Sequence, residues 1–292
     1  MPDFKKRSVL TGITVLEAMQ RNVCRLETSV SLKACIHHMT RCRENAVLLK
    51  DPGETEAGII SKTDITGACY AGMPVETPAR DLMNPAVFCA PGDRLEQVLS
   101  LMEEQAIHRV YVRSETSAIL GTLSFSGIVG LLYRYCRSCV KSRRQAGKIK
   151  EDGLPRIRIR EVMTDHVYSC LDGDSIGDAI ELLLCSGTGA VLVVDDSAAP
   201  VGVVSKTDVN RAFFHGRPAG DPLDTVMTRP VVSCHADEYL VDGLQKMFLF
   251  DLHRLFVLDQ DSGAVRGVLS LSDAARFRSG TCQACSASRI LP

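Results

Sequence analysis

Gly58-Ile59-Ile60-Ser61-Lys62-Thr63-Asp64 is written again as Gly202-Val203-Val204-Ser205-Lys206-Thr207-Asp208, then as Gly267-Val268-Leu269-Ser270-Leu271-Ser272-Asp273, and in eroded form as Gly121-Thr122-Leu123-Ser124-Phe125-Ser126-Gly127. Each copy is a short apolar run, readable as a buried strand, that ends on a hydroxyl and, in three copies, a carboxylate where a helix would begin. Such self-similarity means that one supersecondary unit has been multiplied, and that a single unit does not cover its own apolar face.

A second marker fixes the period. Met19, Met83, Met163 and Met227 each close a tripeptide, and they precede the end of the phrase by 45, 44, 45 and 46 residues. Successive markers stand 64, 80 and 64 residues apart, so the units fall into two pairs with sixteen additional residues between the pairs.

Between marker and phrase, apolar residues recur at i, i+3, i+4 and i+7: Leu32, Cys35, Ile36, Met39; Leu95, Val98, Leu99, Met102; Ile176, Ala179, Ile180, Leu183; and Leu240, Gly243, Leu244, Met247. The spacing predicts four amphipathic helices. Thr28 or Ser29, Asp93, Asp174 or Ser175, and Asp237 are the expected caps. β-rich runs follow (Ala46 to Leu49, Val110 to Val112, Ala190 to Val194, Leu255 to Leu258), then turns such as Asp51-Pro52-Gly53, then the phrase. The unit reads strand, helix, strand, strand, helix.

That order closely resembles the cystathionine-β-synthase (CBS) domain, a module that packs in twos as a Bateman module. The marker tripeptides Asp81-Leu82-Met83, Glu161-Val162-Met163 and Thr225-Val226-Met227, the Gly-apolar-apolar-Ser-x-[Thr/Ser]-Asp phrase and the His-Arg-apolar runs carry the resemblance; Glu17-Ala18-Met19 is the loosest marker. It implies an α/β (α+β) fold of four β-α-β-β-α repeats paired into two Bateman modules with pseudo-two-fold symmetry. The first pair is expected over 8–140 (units about 13–71 and 78–136) and the second over 156–280 (units about 157–216 and 222–279). A basic linker, 141–155, and a cysteine-containing tail, 281–292, complete the chain.

A carboxylate beside a hydroxyl at a strand-to-helix turn can accept hydrogen bonds from both hydroxyls of a ribose; it can equally cap a helix and bind nothing. The resemblance implies ribose contact for Asp64, Asp208 and Asp273, with Thr63, Thr207 and Ser272 beside them, while Gly127 leaves the second unit without a carboxylate. Ile107-His108-Arg109-Val110 and Leu252-His253-Arg254-Leu255 supply cations suited to phosphate. An arginine ahead of a buried strand can instead pair with a local acid. By resemblance to adenine-nucleotide sensors of the family, such as the γ subunit of AMP-activated kinase, His108, Arg109, His253, Arg254 and Ser270 are implied phosphate contacts.

Cys136-x-x-Cys139 and Cys282-x-x-Cys285 each begin ten residues after the same phrase position, Ser126 and Ser272. Two such pairs could ligate zinc or an iron-sulfur cluster, form a redox couple, or be inherited by duplication without a role. Cys24, Cys89, Cys170 and Cys234 recur on the first strand of each unit and read as small core residues.

The net charge of −1 gives no global attraction to nucleic acid or anionic membrane. The basic stretch at 137–160 has no aromatic residues for stacking on bases, so nucleic-acid contact is not expected. No apolar run is long enough to span a bilayer and the first twenty residues lack a signal-peptide core, which places the expected site of action in the cytoplasm. No nucleophile, base and supporting group emerge, so an enzyme is not expected. The leading expectation is a stand-alone regulatory protein that binds AMP, ADP or ATP between repeats and signals to a partner protein, with a homodimer compatible. The alternative is a metal- or redox-responsive scaffold built on the Cys-x-x-Cys pairs.

Overall fold

The computed structural model describes residues 12–51, 56–138 and 158–276. A one-turn helix, α1 (Val15–Ala18), precedes four copies of one arrangement. The first copy is β1 (Arg25–Glu27), α2 (Leu32–Cys42), β2 (Ala46–Lys50), β3 (Glu56–Ser61) and α3 (Lys62–Tyr70). The second is β4 (Phe88–Cys89), α4 (Leu95–Glu104), β5 (Arg109–Arg113), β6 (Ile119–Ser124) and α5 (Phe125–Ser138). The third is β7 (Ser169–Leu171), α6 (Ile176–Cys185), β8 (Ala190–Val194), β9 (Pro200–Ser205) and α7 (Lys206–Phe214). The fourth is β10 (Ser233–His235), α8 (Leu240–Leu249), β11 (Arg254–Leu258), β12 (Val265–Ser270) and α9 (Leu271–Arg276).

Each copy forms its own three-stranded sheet in sequence order, its first two strands parallel and joined by the helix, its last two antiparallel. The registers match: Ala46, Arg109, Ala190 and Arg254 stand opposite Ser61, Ser124, Ser205 and Ser270, so the last residue of every phrase strand faces the first of the central strand.

The apolar stripes of α2, α4 and α6 are buried as the spacing predicts. On α8 the buried set is Leu240, Val241, Gly243 and Met247, with Leu244 half-buried. The caps differ from expectation in three of the four helices, where the helix begins one to three residues later than the sequence suggests. Ser31, Arg94 and Tyr239 are the N-cap residues of α2, α4 and α8, and only Ser175 caps as expected, on α6. Asp93 and Asp174 close the preceding turns by accepting from the backbone N–H of Ala90 and Leu171, both at 2.8 Å, while Asp237 pairs with Arg160.

The chain divides into two compact units that interleave along the sequence: one holds Asn22–Ala86 with Val167–Val232, the other the segment through Arg21, Val87–His166 and the chain from Ser233. The markers explain the interleaving. Gln20, the residue after Met19, exchanges both backbone hydrogen bonds with Thr122, each 2.8 Å; Asn84 does the same with Ile59, Thr164 with Val268 and Thr228 with Val203. A marker therefore closes the phrase of its neighbouring repeat, not its own. The 45-residue interval between marker and phrase is a period of the sequence and not a contact.

This closure accounts for the glycine of each phrase. A Cβ on Gly58 would fall 2.7 Å from the Asn84 carbonyl oxygen, and one on Gly121 2.6 Å from that of Gln20, with Met83 and Met19 packed alongside. Gly267 lies in the same way against the Thr164 carbonyl and Met163, whereas Gly202 lies against the Met227 side chain alone.

Candidate functional site

The phrase carboxylates sit at strand-to-helix corners. In α3 and α7 the aspartate is the third helical residue and completes a capping box: the Asp64 carboxylate accepts from the backbone N–H and the hydroxyl of Ser61, both at 2.7 Å, and Asp208 accepts from those of Ser205 at 2.9 and 2.6 Å. Asp273 repeats the pattern with Ser270, at 2.9 and 2.5 Å. In the second repeat the Ser124 hydroxyl still accepts from Gly127 N–H at 3.3 Å, but no carboxylate answers it. The capping role is therefore realised at all three aspartates. It occupies one carboxylate oxygen and leaves the other for further partners: Asp64 Oδ1 accepts from Asn84 Nδ2 at 2.9 Å, and Asp208 Oδ1 from Arg211 and, at 3.4 Å, from the Thr228 hydroxyl.

The threonines beside them are used within the unit that holds Asn22–Ala86 and Val167–Val232. Lys62 Nζ donates to Thr207 Oγ1 and Lys206 Nζ to Thr63 Oγ1, both at 3.0 Å, a reciprocal pair across the packed helices α3 and α7. Beneath it Thr66 and Asn210, both buried, meet at 2.9 Å, and Asn210 Nδ2 donates to the Lys62 carbonyl at 3.1 Å. The phrase lysines thus bind across to the other repeat. Accepting from lysine leaves each threonine hydroxyl its own proton to donate.

Around Asp208 the same unit opens a cleft of about 460 Å³ lined by Asp208, Arg211, His215, Arg217, Thr228 and Arg229, among others. One carboxylate, 6% exposed at its side chain and paired with Arg211, thus shares the cleft with Arg217, itself paired with Asp221 at 3.4 Å, and with Arg229 and His215. The wall comes from one face of α7 and from the marker segment Thr225–Arg229, which closes this repeat from the next one along the chain. None of Arg211, His215, Arg217 or Arg229 was singled out in the sequence. Arg211, one helical turn after Asp208, carried the only available signal.

The other unit takes its cations from the strands. Arg109 Nη1 donates to Thr122 Oγ1 at 3.4 Å, and the His108 ring meets Phe125 edge-on with centroids 5.6 Å apart. Arg254 lies opposite Ser270, and burial holds its guanidinium below the usual arginine range, opposed by the charge of Asp273. His253, Arg254, Ser270, Ser272 and Asp273 therefore converge on one corner, where Ser270 and Ser272 hydroxyls stand 2.7 Å apart. Asp273 is the local acid whose charge acts on Arg254.

The family model for the CBS domain matches residues 79–134, 159–215 and 223–280, more than half of the chain. The chain belongs to the CBS-domain family. The first CBS repeat lies outside the matched residues, and its sheet order and register identify it. An uncharacterized protein of Methanocaldococcus jannaschii, MJ1225, is 24% identical over 212 residues, 71% of this chain and 73% of that one. Its crystal structure, presented as that of a proposed archaeal homologue of γ-AMPK, superposes with a TM-score of 0.74 at 14% identity over 91% of this chain and 99% of that one. An uncharacterized conserved protein of Pyrococcus horikoshii superposes with a TM-score of 0.59 at 20% identity, over 90% and 99% of the two chains. A second M. jannaschii relative, 24% identical over 164 residues, is covered over only 37% of its length. Both superpositions bear on the fold: four CBS repeats in mixed α/β modules. The regulatory, nucleotide-binding character of CBS modules follows from the family, and no helix among the described residues is long and apolar enough to cross a membrane.

Of the Cys-x-x-Cys residues, Cys136 falls within α5 and Cys139, Cys282 and Cys285 lie outside the described residues. The strand cysteines of three CBS repeats are core as expected: Cys89 and Cys234 thiols are pushed up to about 12 and Cys170 to about 11, chiefly by burial. Cys24 is the exception. Its marker stands only five residues upstream, so it falls before β1 and is half-buried.

Proposed function

We propose that this chain is a non-catalytic regulatory protein whose effector is an adenosine-containing nucleotide, AMP, ADP or ATP, and that a partner protein reads its occupancy. The observation that carries the reading is the cleft at Asp208, where one carboxylate suited to ribose and three arginines suited to phosphate share about 460 Å³. A ribose hydroxyl would take the place of the Thr228 hydroxyl on Asp208 Oδ1, and Arg211, once drawn to phosphate, would free that oxygen further. His215 would add a donor whose charge depends on pH.

By the same chemistry Asp64 with Thr63, Asp208 with Thr207, and Asp273 with Ser272 are the ribose contacts, and His108, Arg109, His253, Arg254 and Ser270 the phosphate contacts of the even-numbered repeats. Consecutive repeats, 13–71 with 78–136 and 157–216 with 222–279, form the signalling modules in this reading. Their exchange of closing segments supports the pairing, because neither member can close without the other. Signalling requires the nucleotide to bind one arrangement of the modules more tightly than another; equal affinity would shift nothing.

Calorimetric titration with AMP, ATP and S-adenosylmethionine tests the proposal. We expect saturable binding of an adenosine ligand. Arg217→Ala and Arg229→Ala are each expected to weaken it by roughly 1 to 3 kcal/mol, the loss of one charged hydrogen-bond partner. Absence of saturable binding, or affinity unchanged in both variants, would overturn the assignment of this cleft.

A further inference from the structure

The first repeat carries a group of side chains that the others lack. Cys24, His38 and Cys42 bring two thiol sulfurs and an imidazole nitrogen within 4.8 Å of one another, and His38 Nε2 lies 3.7 Å from Cys42 Sγ. Bond lengths of about 2.3 Å to sulfur and 2.0–2.1 Å to nitrogen put an S···N edge of a tetrahedral zinc site at about 3.6 Å. We infer that Cys24, His38 and Cys42 form a three-ligand site for a zinc ion, with the fourth position open to water or an exogenous donor.

Three observations carry the inference. His38 and Cys42 are four residues apart on α2 and so share one face, one turn apart. Cys24 is fixed opposite them, because its carbonyl accepts from Leu48 N–H at 3.0 Å while its side chain packs against the edge of the core. The ligands therefore stand on a helix and on a strand-anchored segment, which pre-organises them. Finally, duplication does not explain the trio. Aligned on the start of the stripe, His38 corresponds to Leu101, Leu182 and Lys246, and Cys42 to Gln105, Ser186 and Phe250. The strand cysteines of the other repeats are buried, whereas Cys24 is half-exposed and Cys42 exposed, so an ion and its fourth ligand can reach them. Two thiolates and one imidazole are the donor set that zinc favours over hard cations, and binding releases the thiol protons to solvent.

The test uses the full chain with Cys136, Cys139, Cys282 and Cys285 replaced by serine, so that the Cys-x-x-Cys pairs contribute nothing. The reduced, chelator-treated protein is titrated with Co²⁺ and then with Zn²⁺. The expected result is one Co²⁺ per chain, a thiolate-to-cobalt charge-transfer band, the visible absorption of a tetrahedral ion, and displacement by Zn²⁺. Cys24→Ser, His38→Gln and Cys42→Ser should each weaken Co²⁺ binding by more than the roughly 10- to 100-fold lost when an outer-shell partner is removed. Zn²⁺ should raise the unfolding temperature of the parent and not of Cys42→Ser, whose exposed position leaves the metal-free fold intact. No Co²⁺ uptake, uptake indifferent to the three substitutions, or a Cys24–Cys42 disulfide that re-forms in place of metal binding would overturn the site.

Discussion

A residue's reactivity here follows from its position on a repeat. Cys35, Cys89, Cys170 and Cys234 are buried, and burial drives their thiols up to between about 11 and 12, with Asp93 adding to the effect at Cys89, Asp174 and Asp178 at Cys170, and Glu238 at Cys234. A protonated, inaccessible thiol is a poor nucleophile. Cys42 and Cys185 are exposed. Iodoacetamide at neutral pH should therefore modify Cys42 and Cys185 in the native chain and spare those four, as peptide mass mapping would read; modification of Cys35 as fast as Cys185 would contradict the packing. Added Zn²⁺ should protect Cys42 and leave Cys185 unaffected, which links this experiment to the metal site. The phrase aspartates show the limit of reading residues singly. Ser-x-x-Asp announces a capping box and a ribose contact with the same letters, and both readings fit one side chain because a carboxylate has two oxygens.

At the level of the element, the most constrained position is the glycine that opens each phrase, the third residue of its strand. Gly58→Ala would bring a methyl group against the Asn84 carbonyl, and Gly121→Ala against that of Gln20, where backbone on both sides is held by paired 2.8 Å hydrogen bonds. Each substitution should cost roughly 1 to 3 kcal/mol, the range for overpacking a fixed interior; Gly92→Ala, whose Cβ meets nothing, is the control. Denaturant unfolding would read the difference, and a Gly58→Ala chain as stable as Gly92→Ala would show that the marker segment gives way. The five elements of each repeat and the buried stripes were legible because strand and helix periods are local properties of the chain. The closing of one repeat by its neighbour's marker was not, since a contact between residues 20 and 122 leaves no periodic trace. The same cause hid half of the Asp208 cleft. Arg229 and Thr228 arrive from the next repeat's marker, whereas Asp208 stands in the phrase itself. The Cys24–His38–Cys42 group escaped for the opposite reason: repetition exposed what the four copies share, and this trio is what one copy has alone.

For the whole molecule, pH should bound stability from both sides. Glu17 is held below the usual carboxylate range by the backbone N–H and hydroxyl of Thr14, Asp178 by the hydroxyl and N–H of Ser175, and Asp195 by the hydroxyl of Ser197 and the N–H of Ala199. The folded chain therefore binds fewer protons than the unfolded chain just below about pH 4, and the contribution of these caps, complete above that pH, is lost as pH falls through their depressed values. The buried thiols act in the opposite sense. With folded values of about 11 to 12 against 9.0 for a free thiol, Cys35, Cys89, Cys170 and Cys234 keep their protons where the unfolded chain has released them. Stability is full below the unfolded value and falls as pH rises from about 8.5 through the folded values. Thermal unfolding across pH should thus show a plateau with an acid limb and an alkaline limb. Replacing Cys35 and Cys234 by alanine would lower the plateau, because each substitution leaves a small cavity, yet it should flatten the alkaline limb and leave the acid limb unchanged. An alkaline limb of undiminished slope in that variant would show that groups other than the buried thiols govern it.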